Sequence, residues 1–391
     1  MRTVNNNLVR AITLVIVVAI SSLTQAENFR VLHVFAGADG ASPYAALIQD
    51  ARGVLYGTTI SGGAYGEGTV FAVDTSGNER VLHSFNNRTG EDGYSPFATL
   101  VKDGRGNLYG TTMFGGAHLG GTVFVVKIMG VEKLGEEKVL YSFAGGTDGA
   151  NPQSSLIRDA AGSLYGTTLY GGAQTYGTVF VVDTKGEEKV LHSFDSAPFD
   201  GSTPIGGLVQ AAAENFYGTT YTGGASGQGT VFVIDKTGKE QVLHSFSGTD
   251  QDGALPSAGL VEDEAGNLYG TTVDGGPHND GTVFVITKSG EEKVLYSFTG
   301  VNGDGVAPTS SLLRDAAGNL YGTTLTGGAF GDGAVFVVKS TGQEMVLHSF
   351  SGDTDGANPQ AGLIEDDAGH FYGTTSGGGP YGLGTVFELT P

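Results

Sequence analysis

The chain has 391 residues and a formal net charge of −21 at pH 7. A surface with this charge repels nucleic acids and anionic lipids, so neither is an expected partner. Cysteine is absent, which excludes a disulfide framework and a thiolate metal site. Glycine supplies 67 residues and proline only 11, which indicates many tight turns in an ordered fold and not a disordered linker.

Residues 1–26 have the pattern of a signal peptide. Arg2 and Arg10 supply positive charge, residues 11–23 are apolar, and Thr24-Gln25-Ala26 resembles a cleavage site. We therefore expect a secreted or periplasmic protein whose mature chain is not inserted in a membrane. An uncleaved anchor is the alternative interpretation of the same segment, and no C-terminal anchor is evident.

The tetrapeptide Tyr-Gly-Thr-Thr occurs seven times, at intervals of 51 to 56 residues. Its tyrosines are Tyr56, Tyr109, Tyr165, Tyr217, Tyr269, Tyr321 and Tyr372. A period near 50 residues is typical of supersecondary units that are stacked around an axis or along a line. Residues 27–391 are therefore expected to form one domain, although their length alone would suggest two or three.

One unit, residues 148–194, contains four short runs of β-forming residues separated by Asp, Gly and Pro turns. These runs are residues 155–158, 164–168, 178–182 and 190–194. Four short strands repeated seven times predict an all-β fold, a seven-bladed β-propeller with four antiparallel strands per blade. The loop before the first strand and the Gly-Gly loop after the second should lie on the same face of the ring.

The two ends of the mature chain predict how the ring closes. Residues 31–35 read as a fourth strand with no unit before it, and residues 384–389 read as a third strand with no fourth after it. Pairing them completes the last blade with the N-terminal strand and hides two sheet edges. The largest insertion, at residues 128–134, is expected in the turn between the third and fourth strands of its blade.

The pattern Leu-Tyr-Gly-Thr-Thr, then Gly-Gly, then Gly-Thr-Val-Phe resembles the repeat of bacterial choice-of-anchor tandem repeat GloVer-containing proteins. The resemblance covers essentially all of the mature chain. It implies an exported bacterial protein that often ends in a surface-anchoring tail, which is not evident here. It implies no known activity and supplies no catalytic residues.

Two sets of repeated residues could suggest metal binding. An Asp stands 17 residues before each repeated Tyr, and the set is Asp39, Asp92, Asp148, Asp200, Asp252, Asp304 and Asp355. We interpret these as turn residues, with structural calcium as the less favoured alternative. The fourth strands carry His33, His83, His192, His244 and His348, with Tyr141 and Tyr296 at the same position. Successive outer strands are too far apart to share an ion, so we expect no metal and no cofactor.

Binding should use residues that differ between the repeats. In the Gly-Gly loops the candidates are Tyr65, His118, Tyr176, His278, Asp280, Phe330, Asp332 and Tyr381. Near the innermost strands the candidates are Tyr44, Phe97, Gln153 and Gln360. Aromatic and acidic groups at a central opening could stack on a sugar and bond to its hydroxyl groups. Ordinary loop variation would produce the same differences.

The sequence thus favours an exported, monomeric, non-enzymatic module that binds an extracellular glycan or a protein. A secreted polysaccharide lyase or hydrolase that uses loop carboxylates such as Asp280 and Asp332 is one alternative. The small residues expected along the channel supply no acid or base, which argues against this alternative. A structural protein of the cell envelope is the other alternative.

Overall fold

The computed structural model describes residues 29–128, 136–196, 200–211 and 215–390. The predicted signal peptide at 1–26 lies outside these residues, and so does nearly all of the predicted insertion at 128–134. Within the described residues, no helix is long and apolar enough to cross a membrane.

Seven antiparallel four-stranded sheets form the fold, and we number them as blades 1 to 7. The first strands are Ile48–Gln49, Val101–Lys102, Ile157–Arg158, Val209–Gln210, Val261–Glu262, Leu313–Arg314 and Ile364–Glu365. The second strands are Leu55–Thr59, Leu108–Thr112, Leu164–Thr168, Phe216–Thr220, Leu268–Thr272, Leu320–Thr324 and Phe371–Thr375. The third strands are Thr69–Val73, Thr122–Lys127, Thr178–Val182, Thr230–Ile234, Thr282–Ile286, Ala334–Val338 and Thr385–Leu389. The fourth strands are Glu79–Ser84, Glu136–Ser142, Glu188–Ser193, Glu240–Ser245, Glu292–Ser297, Glu344–Ser349 and, for blade 7, Phe29–Val34. A single 3₁₀ turn is described, at Asn87–Thr89.

These sheets confirm the predicted seven-bladed β-propeller. The segments that precede the first strands of all seven blades line one cavity, which places these strands around the central axis. The predicted closure is also confirmed, because Phe29–Val34 pairs with Thr385–Leu389, with Phe29 opposite Leu389 and Val34 opposite Thr385. The first and last described strands therefore belong to the same blade.

The Tyr of the repeated tetrapeptide packs against the next blade, and the Gly makes room for a Phe ring within its own blade. In blade 1, the Tyr56 ring packs with Leu100 of blade 2, and its hydroxyl donates to Asp50 in the preceding hairpin at 3.1 Å. A Cβ on Gly57 would lie only 2.6 Å from the ring of Phe71 on the third strand. Glycine is required here because the Phe ring crosses over the backbone, and the same contact recurs in every blade.

The two threonines of the tetrapeptide make different buried hydrogen bonds. Thr58 of blade 1 donates to the carbonyl of Ala98 in blade 2, at 3.4 Å. Thr59 and Thr69 share a hydrogen bond of 2.9 Å between the second and third strands of blade 1. The first bond joins neighbouring blades and the second joins neighbouring strands, so the tetrapeptide is a structural element of the propeller.

A strained joint connects the loops of successive blades. Between blades 4 and 5, the N–H of Leu255 donates to the carbonyl of Gln228 at 2.8 Å, and Leu255 has a φ of 58°. Left-handed backbone is costly for a residue with a side chain, so the contacts around it must compensate. The residue before the repeated Pro has this conformation in all seven units: Ser42, Ser95, Asn151, Thr203, Leu255, Ala307 and Asn358.

Replacing the glycine of this joint should be more destabilising than replacing a nearby glycine of the same loop. Gly229 has a φ of +96°, and a Cβ there would lie 2.6 Å from Pro256 and 2.5 Å from the Thr220 carbonyl. We expect Gly229→Ala to lower the free energy of unfolding in urea by more than about 2 kcal/mol. Gly227 has a φ of +74° and open space around it, so Gly227→Ala should cost only about 1 kcal/mol. Equal costs would contradict this account of the joint.

The apolar core consists of clusters between the blades. Phe35, next to the closing strand, is fully buried and packs with Leu47 and Leu55 of blade 1 and with Val386 of blade 7. The equivalent phenylalanine in blade 4, Phe246, is also fully buried. The interface that closes the ring is therefore built like the others.

Phe35→Ala tests whether the closing interface contributes as much stability as an ordinary one. We expect it to lower the free energy of unfolding by about 3–5 kcal/mol, because it leaves a cavity where a large ring was buried. Phe246→Ala should cost a similar amount, and Phe330→Ala, at a side chain that is 65% exposed, almost nothing. A negligible cost for Phe35→Ala in urea unfolding would mean that the ring does not depend on this contact.

Candidate functional site

The two variable loops of each unit lie together on one face of the propeller, as predicted. The segment that contains the repeated Asp-Gly pairs with the residues before and within the Gly-Gly sequence. In four units it forms a short ladder, and the pairs are Gly93–Tyr94 with Phe114–Gly115, Gly201–Ser202 with Thr222–Gly223, Gly253–Ala254 with Asp274–Gly275, and Gly305–Val306 with Thr326–Gly327. In the other three units it forms single bridges, which are Ala41 to Ser61, Ala150 to Tyr170 and Ala357 to Gly377. We call this side the loop face.

The eight predicted ligand-binding residues lie in the Gly-Gly loops of six different blades. Six of them are exposed, namely Tyr65, His118, Tyr176, His278, Phe330 and Tyr381. Asp280 and Asp332 are half-buried. The ring distributes these residues around the loop face. Tyr176 lines a groove of about 820 Å³, and Tyr65 lines a separate cavity of about 490 Å³.

A groove of about 820 Å³ lies between blades 3 and 4. Tyr170 and Tyr176 of blade 3 line it, with 50% and 42% of their surface exposed. The hydroxyl groups of Ser202, Thr203 and Thr222 in blade 4 line it too. The Oγ1 atom of Thr222 lies 2.8 Å from the Ser202 hydroxyl and 2.7 Å from the Thr203 hydroxyl. Glycines form much of the remaining lining. We call this site the tyrosine groove.

Tyr170 is not among the candidates from the sequence, because those in the loops all follow the Gly-Gly sequence and Tyr170 precedes it. Its equivalent in blade 2, Phe114, is stacked against Tyr94 on the paired segment, with ring centroids 5.3 Å apart. In blade 3 the residue opposite Tyr170 is Ala150, which is too small to cover the ring. The signal in the sequence was a large aromatic residue paired with a small residue, but it depended on knowing which segments pair.

The central opening is narrow. Tyr44, Phe97, Gln153 and Gln360 line it as predicted, but its cavity is only about 120 Å³. The rings of Tyr44 and Phe97 lie 4.9 Å apart, so they pack on one another. Small residues line the rest of the channel. The tyrosine groove therefore offers more space for a ligand than the axis does.

The repeated Asp and His residues meet between the blades. At the interface of blades 1 and 2, Nε2 of His83 lies 3.1 Å from the carboxylate of Asp92, which also accepts from the backbone N–H of Asn86 at 2.9 Å. Glu137, on the fourth strand of blade 2, completes the cluster. Tyr141 replaces His at the next interface, where its hydroxyl donates to Asp148 at 2.7 Å. The Asp thus joins the loop to the outer strand.

Four interfaces place a His, an Asp and a Glu with their donor atoms within 4.8 Å of one another. They are His33 with Asp39 and Glu79, His83 with Asp92 and Glu137, His192 with Asp200 and Glu240, and His244 with Asp252 and Glu292. A divalent cation can use such donors, although the sequence predicts no metal site. Tyr141 and Tyr296 stand at the His position of two other interfaces and donate to Asp there. A hydrogen-bond donor to Asp is therefore what the His and Tyr positions share.

The glutamates are the most perturbed acids of these clusters. Burial, together with the charge of Asp92, raises the pKa of Glu137 to about 8. Burial and the charge of Asp39 raise the pKa of Glu79 to about 7. These glutamates are not among the candidates from the sequence, although each stands four residues before a repeated His or Tyr.

Comparison with known proteins identifies the repeat. The profile of the Gloeobacter/Verrucomicrobia repeat matches residues 18–212, 90–264 and 215–391. This chain is a member of the Gloeobacter/Verrucomicrobia repeat family. The result confirms the resemblance to the GloVer repeat. A search of curated proteins found no match.

Solved structures show that the fold occurs in exported proteins. The extracellular domain of BT4673 from Bacteroides thetaiotaomicron, described as a one-component or hybrid two-component system, matches with 14% identity and a TM-score of 0.55. That match covers 92% of this chain and 40% of the other, so this chain spans about two fifths of its length. The periplasmic gluconolactonase PpgL of Pseudomonas aeruginosa matches with 16% identity and a TM-score of 0.51, over 86% of this chain and 95% of that one. At these identities the likeness is one of fold.

The family repeat accounts for the residues that all units share, so the tyrosine groove stands out from it. Tyr170 and Tyr176 occupy positions that hold Thr222 and Gln228 in the next unit. The groove is therefore a feature of one interface and not of the repeat.

The exchange of His and Tyr between units predicts which substitutions an interface tolerates. At His244, which lies 3.2 Å from Asp252, we expect His244→Tyr to change the free energy of unfolding by less than about 1 kcal/mol. His244→Phe keeps the ring but removes the donor to Asp252, so it should cost about 1–3 kcal/mol. Urea unfolding at pH 7 measures both. A His244→Tyr variant as unstable as His244→Phe would show that His has a role that Tyr cannot fill.

Proposed function

We propose that this protein is an exported, non-enzymatic binding module that takes a neutral extracellular glycan in the tyrosine groove. The single observation that carries the proposal is the pairing of two half-exposed rings, Tyr170 and Tyr176, with hydroxyl groups of blade 4. An aromatic ring can lie against the C–H face of a sugar, and hydroxyl groups can exchange hydrogen bonds with those of the sugar.

The size and lining of the groove fit such a ligand. Its volume of about 820 Å³ lies in the range of ligand pockets, about 300–1,000 Å³. Exposed tyrosines provide large contact areas at low entropic cost, which explains their frequent use at binding surfaces. The hydroxyls of Ser202, Thr203 and Thr222 already bond to one another, so they are held in fixed positions.

Charge favours a neutral ligand. The lining of the groove carries no charged side chain among its described residues, and the chain as a whole has a net charge of −21. An anionic polysaccharide would be repelled over a long range without a local cation to compensate. A neutral glycan has no such penalty.

An extracellular or periplasmic location supports this proposal. The signal-like segment at residues 1–26 agrees with export. The structural neighbours described above include an extracellular domain and a periplasmic protein. A neutral glycan is a ligand that a protein meets in these compartments.

Binding can be tested with a glycan array and then by calorimetry on the glycans that bind. We expect Tyr170→Ala and Tyr176→Ala each to weaken binding about tenfold, because each removes an aromatic contact worth about 1–1.5 kcal/mol. Tyr65→Ala and Tyr381→Ala are matched controls, since these exposed tyrosines lie in the equivalent loops of blades 1 and 7. The controls should leave affinity within about twofold.

Other outcomes would replace the proposal. Loss of binding in the control variants, with Tyr170→Ala unaffected, would place the site on another part of the loop face. Failure to bind any glycan, together with capture of a defined protein, would favour a protein ligand. Binding of neither would favour a structural role in the envelope.

The hydrolase or lyase alternative depends on loop carboxylates. Asp274 and Asp280 lie in the same loop, and burial together with the charge of Asp280 raises the pKa of Asp274. A raised carboxyl pKa is a feature of general acids. Shortening of a bound polysaccharide by the wild-type protein but not by Asp280→Asn or Asp332→Asn would establish catalysis and overturn a pure binding role.

A further inference from the structure

Six glutamates lie at the start of the fourth strands of blades 1 to 6, each as the first or second residue of its strand, and turn one oxygen into the interface with the preceding blade. They are Glu79, Glu137, Glu188, Glu240, Glu292 and Glu344. The Oε1 atom of each is buried without a hydrogen-bond partner. A buried, unpaired carboxylate oxygen is costly, so the sixfold recurrence needs an explanation.

Each glutamate lies beside an aspartate that accepts a hydrogen bond from a backbone N–H group. At the interface of blades 1 and 2, Asp92 accepts from the backbone N–H groups of Asn86 and Gly93 and bonds to His83. Glu137 lies next to this carboxylate without a donor of its own. Two adjacent, partly buried carboxylates cannot both be charged without a cost in free energy, and one shared proton removes the repulsion between them.

Substitutions within the repeat show what each position requires. Tyr141 and Tyr296 replace His, and both donate to Asp. At the interface of blades 6 and 7 the glutamate position holds Phe29, whose ring stacks on His348 with centroids 3.8 Å apart. An apolar ring can replace a neutral carboxylic acid more readily than a charged one.

A bound cation explains this pattern less well than a proton does. A divalent ion would need both the glutamate and a ligand at the His position. Phe29 removes the glutamate at one interface, and the tyrosines remove the His at two others. The oxygens of Asp92 are already occupied by backbone N–H groups. A proton needs only the pair of carboxyl groups, which all six interfaces keep.

We propose that each of the six Glu–Asp pairs holds one shared proton, so that the blade interfaces form a proton-dependent clamp and the ring is most stable in mildly acidic surroundings. The clamp is separate from the tyrosine groove, and it stands whether or not a glycan binds.

The direction of the pH effect follows from the glutamates. Burial, with the charge of the neighbouring Asp, raises the pKa from its ordinary 4.5 to about 7 for Glu79, Glu240, Glu292 and Glu344, and to about 8 for Glu137 and Glu188. The native state therefore keeps protons that the unfolded chain releases above pH 4.5. The stabilisation is complete below pH 4.5 and is lost as the pH rises through 7 to 8.

Neighbouring groups confine this effect to one range of pH. The titratable groups closest to the glutamates are Asp39, Asp92, Asp148, Asp200, Asp252 and Asp304, the His or Tyr bonded to each of them, and Asp195 beside Glu240. Further charged groups line the same cavities, namely Glu91 and Lys138 with Glu137, and Arg52, Asp74 and Arg80 with Glu79. Burial raises the pKa of Asp252, but its hydrogen bonds outweigh burial and lower the pKa overall. The stability that Asp252 contributes is therefore lost only below its ordinary pKa of 3.8. Burial lowers the pKa of His33 in spite of the nearby charge of Asp39. The unfolded chain therefore takes up a proton at His33 below the ordinary pKa of 6.5, and this destabilises the native state only below that pH.

The chain provides a matched control, because exposed glutamates precede three of the buried ones. The test variant carries Glu137→Gln, Glu188→Gln and Glu292→Gln. The control carries Glu136→Gln, Glu187→Gln and Glu291→Gln, which changes the net charge equally at exposed positions. Gln resembles a protonated Glu in shape and in having a donor, so the interfaces can still form.

The measurement is the urea midpoint of the mature chain at pH 5, 7 and 8.5, with proton release on unfolding at pH 6.5. We expect the urea midpoints of the wild type and of the control to decrease as the pH rises from 5 to 8.5. The midpoint of the test variant should decrease less, so that at pH 8.5 it lies above the midpoints of the wild type and the control. The test variant should also release about three fewer protons on unfolding than they do.

The contrary results are equally specific. A wild-type midpoint that rises with pH, or a test variant with the same pH dependence and proton release as the control, would overturn the proposal. A midpoint that rises on addition of Zn²⁺ or Ca²⁺ and falls with EDTA, in the wild type but not in the test variant, would assign the clusters to a cation.

Discussion

Each sheet of this protein has two apolar faces, and only a neighbouring blade on each side can bury both. The clusters of the core accordingly lie between blades, as when Phe35 and Val386 pack with Leu47 and Leu55. A linear stack would leave its two end sheets uncovered, so the ring has to close. The pairing of Phe29–Val34 with Thr385–Leu389 meets this requirement by joining the ends of the chain within one blade.

This packing explains why the repeated residues are structural. Gly57 leaves room for Phe71, Tyr56 packs against the next blade, and Thr58 bonds to it. The polar clusters at the outer edges are part of the same interfaces, because Asp92 connects a loop to the outer strand through His83. A residue that recurs at every interface is under the same packing constraint each time, so it contains little information about a ligand.

Ligand specificity must then come from places where the units differ, and such differences matter only where they are not covered. Phe114 differs from its counterparts but is stacked on Tyr94. Tyr170 differs in the same way but lies opposite Ala150, and it stays half-exposed beside Tyr176. The tyrosine groove thus results from two local features of one interface, the small residue opposite Tyr170 and the presence of Tyr176 beside it.

The sequence by itself determined the number of blades, the order of their strands and the closure, because a period of 51 to 56 residues and two half-units at the ends allow few arrangements. It also indicated which loops share a face. Only the tertiary structure decided which side chains meet across a blade interface. Tyr170 lines one groove with Ser202 and Thr222 of the next blade, and Glu137 lies beside Asp92 across another interface. These contacts join residues far apart in the chain, and their exposure depends on the size of the residue opposite, which no single segment contains.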